Sequence, residues 1–176
     1  MRQLRYNVAI SLDGFIAPND GSATWIVDDP DIDFTSLYAK FDTFILGRKT
    51  YESMLSMEPN PLKKVPKENL VVVSRQLQSE NHTNVTIVRD DFIGYVKGLK
   101  ERLGKDIWLF GGGELAGPCF DAGVVDSMET AVMPVMLRDG VKMVAMGAHV
   151  VRLELVDVRR MERSGILMCR YKVLRG

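Results

Sequence analysis

Cysteine and histidine are scarce in this chain, with two of each among 176 residues. Cys119 and Cys169 cannot build a disulfide framework, and two buried free thiols in a reducing compartment are expected. His82 and His149 lie far apart with no cysteine or acidic cluster around them, so no metal-ligand spacing exists. Neither a Gly-x-Ser-x-Gly elbow nor a Walker loop occurs. Charge bias is also missing: 23 Lys and Arg stand against 23 Asp and Glu, which removes any global pull toward nucleic acid or anionic membrane. No run approaches the ~18 apolar residues that span a bilayer. The start, Met1 to Tyr6, leads directly into a strand pattern without the apolar core of a signal peptide. The expectation is a cytoplasmic protein with neither a membrane nor a nucleic-acid partner.

What remains is an ordinary globular composition, long enough for one domain over residues 1–176. Short apolar runs rich in β-branched or aromatic residues predict strands at Leu4–Ser11, Thr43–Leu46, Leu70–Val73, Val85–Val88, Asp106–Phe110, Ser127–Met133, Val150–Val158 and Ile166–Val173. Helices fit between them at Ile32–Lys40, Thr50–Met57, Phe92–Leu103 and Glu114–Ala122. Glu58–Asn69, with three prolines, reads as a surface loop. Strands alternating with helices imply parallel pairing, and the last two strands read as an antiparallel hairpin across Arg163-Ser164-Gly165. The fold class is therefore α/β: a three-layer sandwich with a mixed, mostly parallel central sheet, helices on both faces and a C-terminal antiparallel hairpin. That antiparallel end could also pair across a two-fold axis in a homodimer.

Three strand ends suit anions. Phe44-Ile45-Leu46 runs into Gly47, Arg48, Lys49 and Thr50, where a glycine, two cations and a hydroxyl meet a helix start. A solvated turn with surface cations is the other reading. Ile107–Phe110 runs into Gly111, Gly112, Gly113 and Glu114, a triplet that suggests positive φ or backbone held against a ligand. It also reads as a tight turn, and Gly111-x-Gly113-x-x-Ala116 fits the looser dinucleotide fingerprint of a Rossmann dehydrogenase. Val71–Val73 ends in Ser74-Arg75, a pair able to hold a phosphate monoester, or an ordinary strand end.

Taken with Ser11-Leu12-Asp13-Gly14-Phe15-Ile16, Trp25, Asp28-Asp29-Pro30-Asp31 and the Gly47–Ser53 run, these motifs resemble the dihydrofolate reductase superfamily over nearly the whole chain. Within it the chain is most similar to small bacterial proteins like the reductase (RibD C-terminal) domain of the riboflavin-biosynthesis deaminase-reductase. The resemblance implies NADPH as cofactor. Gly47, Arg48, Lys49 and Thr50 would hold its phosphates, and Ser74 and Arg75 its 2′-phosphate. Gly111–Gly112 would form a cis peptide against the pyrophosphate, with Gly113 and Glu114 opening the helix and Ala9 and Ile16 flanking the nicotinamide. Trp25 and Phe34 would line the substrate site. Asp31, at the matching distance before Gly47, would orient and protonate the substrate as a partly buried acid with a raised pKa; it also reads as a helix N-cap after Pro30.

Two departures argue against folate. The position of the tail-clamping arginine falls on Glu68, with only Lys67 and Lys64 nearby, and Ala116 replaces a tyrosine often found after the glycines. The expected substrate is a small pterin-like or aminopyrimidine heterocycle. The rival expectation is a non-catalytic dinucleotide-binding protein of the same fold.

Overall fold

The computed structural model describes residues 1–175. Its strands are β1 (Leu4–Ser11), β2 (Phe15–Ala17), β3 (Phe41–Gly47), β4 (Leu70–Val73), β5 (Thr86–Val88), β6 (Asp106–Gly111), β7 (Ser127–Met133), β8 (Val141–Lys142), β9 (Arg152–Arg160) and β10 (Leu167–Leu174). Its helices are α1 (Phe34–Tyr38), α2 (Arg48–Leu55), α3 (Phe92–Glu101) and α4 (Gly113–Asp121). Eight strands form one sheet in the order β5-β4-β3-β6-β1-β7-β10-β9. The first six in that order run parallel, while β10 is antiparallel to both β7 and β9. The carboxyl ends of six strands therefore share one edge, where α/β sheets place their ligands.

Alternate strand residues face opposite sides, and both sides of the parallel part are covered, which accounts for the continuous apolar stretches Phe44–Leu46, Leu70–Val73 and Ile107–Phe110. On one side Leu4, Tyr6, Ile45, Val71 and Leu109 meet α3 and α4. On the other, Phe44, Leu46, Val72 and Trp108 meet Tyr51 and Met54 of α2, with Leu37 and Tyr38 of α1 alongside. The Trp108 indole donates to the Asn7 carbonyl at 3.0 Å, which leaves a large buried ring without an orphan donor. Met133, Met161 and Ile166 form a third cluster under the hairpin turn. Both cysteines are free, Cys119 buried and Cys169 half-buried. Burial pushes the Cys119 thiol up to about 12, which makes it inert.

Several boundaries differ from the sequence reading. The first helix begins at Phe34 rather than Ile32, because Asp33 caps it by accepting the Ser36 N–H at 2.9 Å. Helix α2 begins two residues early, at Arg48, and β9 is displaced by two residues to Arg152–Arg160. The sequence reading gave no sign of β2 and β8, which pair antiparallel as a small separate ribbon. The Asp13 carboxylate anchors that region by accepting the Ser11 hydroxyl at 2.6 Å and the N–H groups of Leu137 and Arg138 at 3.1 and 2.7 Å. The Ser11 hydroxyl foremost holds the Asp13 carboxyl below its usual range. The Ser11–Ile16 landmark thus contains a structural acid.

Candidate functional site

The carboxyl edge of the sheet brings two helix starts together. Gly47 pairs with Val73 across β3 and β4, and Leu46 with Gly111 across β3 and β6. Gly47 is the N-cap of α2 and Gly112 that of α4, and neither has a side chain to accept from its helix. The first-turn N–H groups of both helices are thus left without side-chain partners. A Cβ built on Gly47 would lie 3.6 Å from the Gly111 carbonyl, so the two starts are immediate neighbours. Two partial positive charges converge on one spot, which favours an anion there.

The Gly111–Gly112 peptide is cis, and Gly111 has a φ of 121°. At Gly113 the demand is space: a Cβ there would meet the Lys142 carbonyl at 2.1 Å and that of Met143 at 3.0 Å. The segment after β8 passes this close because the Ala145 N–H donates to the Gly113 carbonyl at 3.0 Å. On its other side the Met143 N–H donates to Gly14 at 3.0 Å, and the Tyr6 hydroxyl donates to the Met143 carbonyl at 2.6 Å.

Of the residues singled out from sequence, Ile16, Thr50 and Gly112 meet. From the Cβ position of Gly112, Ile16 Cδ1 is 3.5 Å away and Thr50 Oγ1 3.9 Å. The Arg48 guanidinium is held along α2 by both Glu52 carboxylate oxygens, at 2.9 and 2.8 Å. Lys49 and Glu114 are exposed at the two helix starts.

One strand over, Ser74 is buried, and its hydroxyl oxygen accepts the N–H groups of Gln76 and Leu77, both at 3.1 Å. Its proton stays available to a ligand. The Arg75 side chain is exposed, and its carbonyl accepts from Arg89 at 3.1 Å. Arg89 also donates to the Leu77 carbonyl at 2.6 Å, so a second guanidinium clamps this turn. The sequence reading missed Arg89, which follows β5 and carries no motif of its own.

The residues expected to line a substrate are less closely assembled. Ala9 and Trp25 both pack against the Met133, Met161 and Ile166 cluster, and the buried Trp25 indole nitrogen has no hydrogen-bond partner. Phe34 is 53% exposed at the start of α1. Asp31 does not meet its description as a partly buried acid. It lies exposed in the turn before α1, and the cap of that helix is Asp33. The buried acid of this segment is Asp29, 2% exposed, whose Oδ1 accepts the Asp31 N–H at 2.9 Å while Oδ2 has no hydrogen-bond partner. The neighbouring Ser164 hydroxyl, on the hairpin turn, is the main cause holding the Asp29 carboxyl below its usual range. A depressed carboxyl contributes stability above its unfolded pKa and loses it as pH falls through its folded value. That contribution is therefore present at neutral pH and is lost on acidification. Glu68, Lys67 and Lys64 are exposed just before β4, at its amino end, away from the two helix starts.

Among the described residues no cluster of His, Cys, Asp or Glu could hold a metal ion, and no helix is long and apolar enough to cross a membrane.

Residues 2–167 match the family model of the RibD C-terminal domain. Among curated proteins, YyaP of Bacillus subtilis (strain 168) is 29% identical over 178 residues, covering 97% of this chain and 94% of its own. Three solved structures share the fold. A protein assigned to riboflavin biosynthesis in Shewanella sp. PV-4 superposes with a TM-score of 0.82 at 20% identity, covering 99% of this chain and 100% of its own. A diaminohydroxyphosphoribosylaminopyrimidine deaminase/5-amino-6-(5-phosphoribosylamino)uracil reductase from Thermotoga maritima gives 0.71 at 16% identity, with 98% of this chain and 57% of that one covered. Dihydrofolate reductase from Enterococcus faecalis, complexed with NADP(H), gives 0.69 at 15% identity, with 98% and 97% covered.

Proposed function

Since the chain belongs to the RibD C-terminal domain family, we propose that it is an NADPH-dependent reductase of a pterin-like or aminopyrimidine heterocycle. The observation that carries this reading is the pair of adjacent helix starts, α2 and α4, neither capped by a side chain. A pyrophosphate is the anion whose size and charge suit two such starts at once. The donor set beside them fits the rest of a phosphorylated dinucleotide. Arg48, Lys49 and Thr50 stand at one start, Gly113 and Glu114 at the other, and Ser74 and Arg75 where a 2′-phosphate would lie. The E. faecalis structure of this fold holds NADP(H), which supports the choice of cofactor.

When bound, NADPH would supply a hydride to an unsaturated C=N or carbonyl-level carbon. The protein's own contribution is placement and charge. Ile16, beside Gly112, would give the nicotinamide an apolar wall, with Ala9 also flanking it. Trp25 and the exposed ring of Phe34 would line the substrate site. Asp31, exposed before α1, would provide the proton that balances hydride arrival.

The first experiment follows Trp fluorescence during titration with NADPH and, separately, NADH. Micromolar NADPH binding, clearly tighter than NADH, is the expected result, and no binding of either would sink the reading. Once a pterin or pyrimidine substrate is found, Asp31→Asn should lower turnover about 100-fold with NADPH affinity intact, the usual scale for a lost general acid. Asp29→Asn should instead lower the melting temperature. Equal turnover in the Asp31 variant would remove its catalytic role. The second reading, a dinucleotide-binding protein without catalysis, predicts instead NADPH binding with no turnover of any pterin or pyrimidine.

A further inference from the structure

The proposed cofactor contacts include three cations, Arg48, Lys49 and Arg75, and among the described residues only Arg48 is paired with a carboxylate. Its partner is Glu52, one turn further along α2. Helix stability does not account for this pair. A cation in the first turn faces the positive end of the helix dipole, and an acid on the carboxyl side of its basic partner is the weaker of the two orientations. Exposed pairs at this spacing also contribute little. The hydrogen bonds of the pair are unevenly divided. Arg48 Nη1 donates to Glu52 Oε1 at 2.9 Å and to Oε2 at 2.8 Å, so both carboxylate oxygens are spent on one nitrogen. Nε and Nη2 donate to nothing among the described residues, which leaves the Nε–H and both Nη2 hydrogens for a ligand.

The flank of the helix is fixed as well. Thr50 faces Gly112, its Oγ1 3.9 Å from a Cβ built there, so that flank of α2 looks toward β6. Tyr51 looks the other way, its hydroxyl 3.2 Å from Nδ1 of His82, which follows β4 in the chain. Arg48 stands three residues before Tyr51 and shares its flank, and Glu52 continues the same stripe. The guanidinium is therefore held on the β4 side, where that strand runs into Ser74 and Arg75. Given the dinucleotide reading, on which this rests, we infer that Glu52 is a positioning residue for the cofactor. It holds Arg48 on the Ser74 side of the paired helix starts, with Nε and Nη2 turned free for phosphate oxygens. An unheld arginine has many rotamers to lose when it binds, and one already held loses fewer.

Titration of the full-length protein with NADPH, followed by Trp fluorescence, tests this. On charge alone, removing an acid beside an anion site should tighten binding. A positioning role predicts the opposite. Glu52→Gln should weaken NADPH binding about 5-fold, the scale of ordering one rotamer-rich side chain. Its melting temperature should move by no more than about 2 °C, as for an exposed helix pair. Arg48→Ala should weaken binding about 30-fold, the loss of a charge-assisted contact. In the Arg48→Ala background, Glu52→Gln should weaken binding no further, because a positioning residue acts only through the group it positions. A Glu52→Gln variant that binds NADPH as tightly as wild type, or more tightly, overturns the proposal. So does a weakening that persists without Arg48 or comes with a larger drop in melting temperature. A wild-type protein that binds no NADPH fails at the earlier step: the dinucleotide reading itself falls, and Glu52 has no cofactor to serve.

Discussion

Gly113→Ala is expected to destabilise the protein by about 3 kcal/mol or more, the scale of forced overpacking, and so to lower its melting temperature by roughly 6–12 °C. The reason is the 2.1 Å separation between a Cβ at this position and the Lys142 carbonyl. The obstacle is backbone, and it cannot swing away as a side-chain tip would. Moving it would also disturb the Ala145 to Gly113 hydrogen bond. Gly98→Ala is the natural control, since its Cβ would meet nothing within 4 Å, and alanine suits a helix interior better than glycine. Thermal unfolding followed by circular dichroism separates the two. An unchanged midpoint for Gly113→Ala would show that the segment after β8 is not held where the structure puts it.

Arg75→Glu is expected to cost about 100-fold in NADPH affinity while NADH affinity stays within a few-fold of wild type, on the scale of a lost charge-assisted pair plus repulsion. The two cofactors differ only in the 2′-phosphate, so the ratio isolates that contact. Ser74 lies in a turn its own hydroxyl stabilises, and the Arg89 clamp fixes the backbone from the far side. Arg75 itself is exposed and free to reach the ligand. Equal losses for both cofactors would move the role of Arg75 from recognition of the 2′-phosphate to general charge.

Much of the framework was legible because the relevant signals are local. The runs at Leu4–Ser11, Leu70–Val73 and Ser127–Met133 coincide with strands: Leu70–Val73 is apolar at every position, as a doubly covered strand can be, while the other two keep enough apolar and β-branched residues around Arg5, Asn7 and Glu129 to show a strand pattern. Gly47 and the Gly111–Gly113 triplet could be read as backbone events because glycine is costly anywhere its freedom is not used. The short ribbon could not. Strands of three and two residues hold no period, and β2 and β8 are joined by pairing across more than a hundred residues of sequence. The exchange of Asp31 for Asp29 as the buried acid has a similar origin. Both sit in one acidic run, and nothing in that run marks Asp29 as the enclosed acid and Asp31 as the exposed one. Arg89 acts entirely through two carbonyls on another strand's turn, so no spacing in its own neighbourhood announces it.

The segment that crowds Gly113 also bonds to Gly14 beside Ile16, through Met143. The apolar wall and the anion cradle therefore hang on one short stretch of chain, residues 141–145. Local opening that frees one would strip hydrogen bonds from the other, so the two belong to a single cooperative unit with a shared opening free energy. A cofactor held there as proposed would find both halves already in register and order little on arrival, and less ordering means less entropy lost on association.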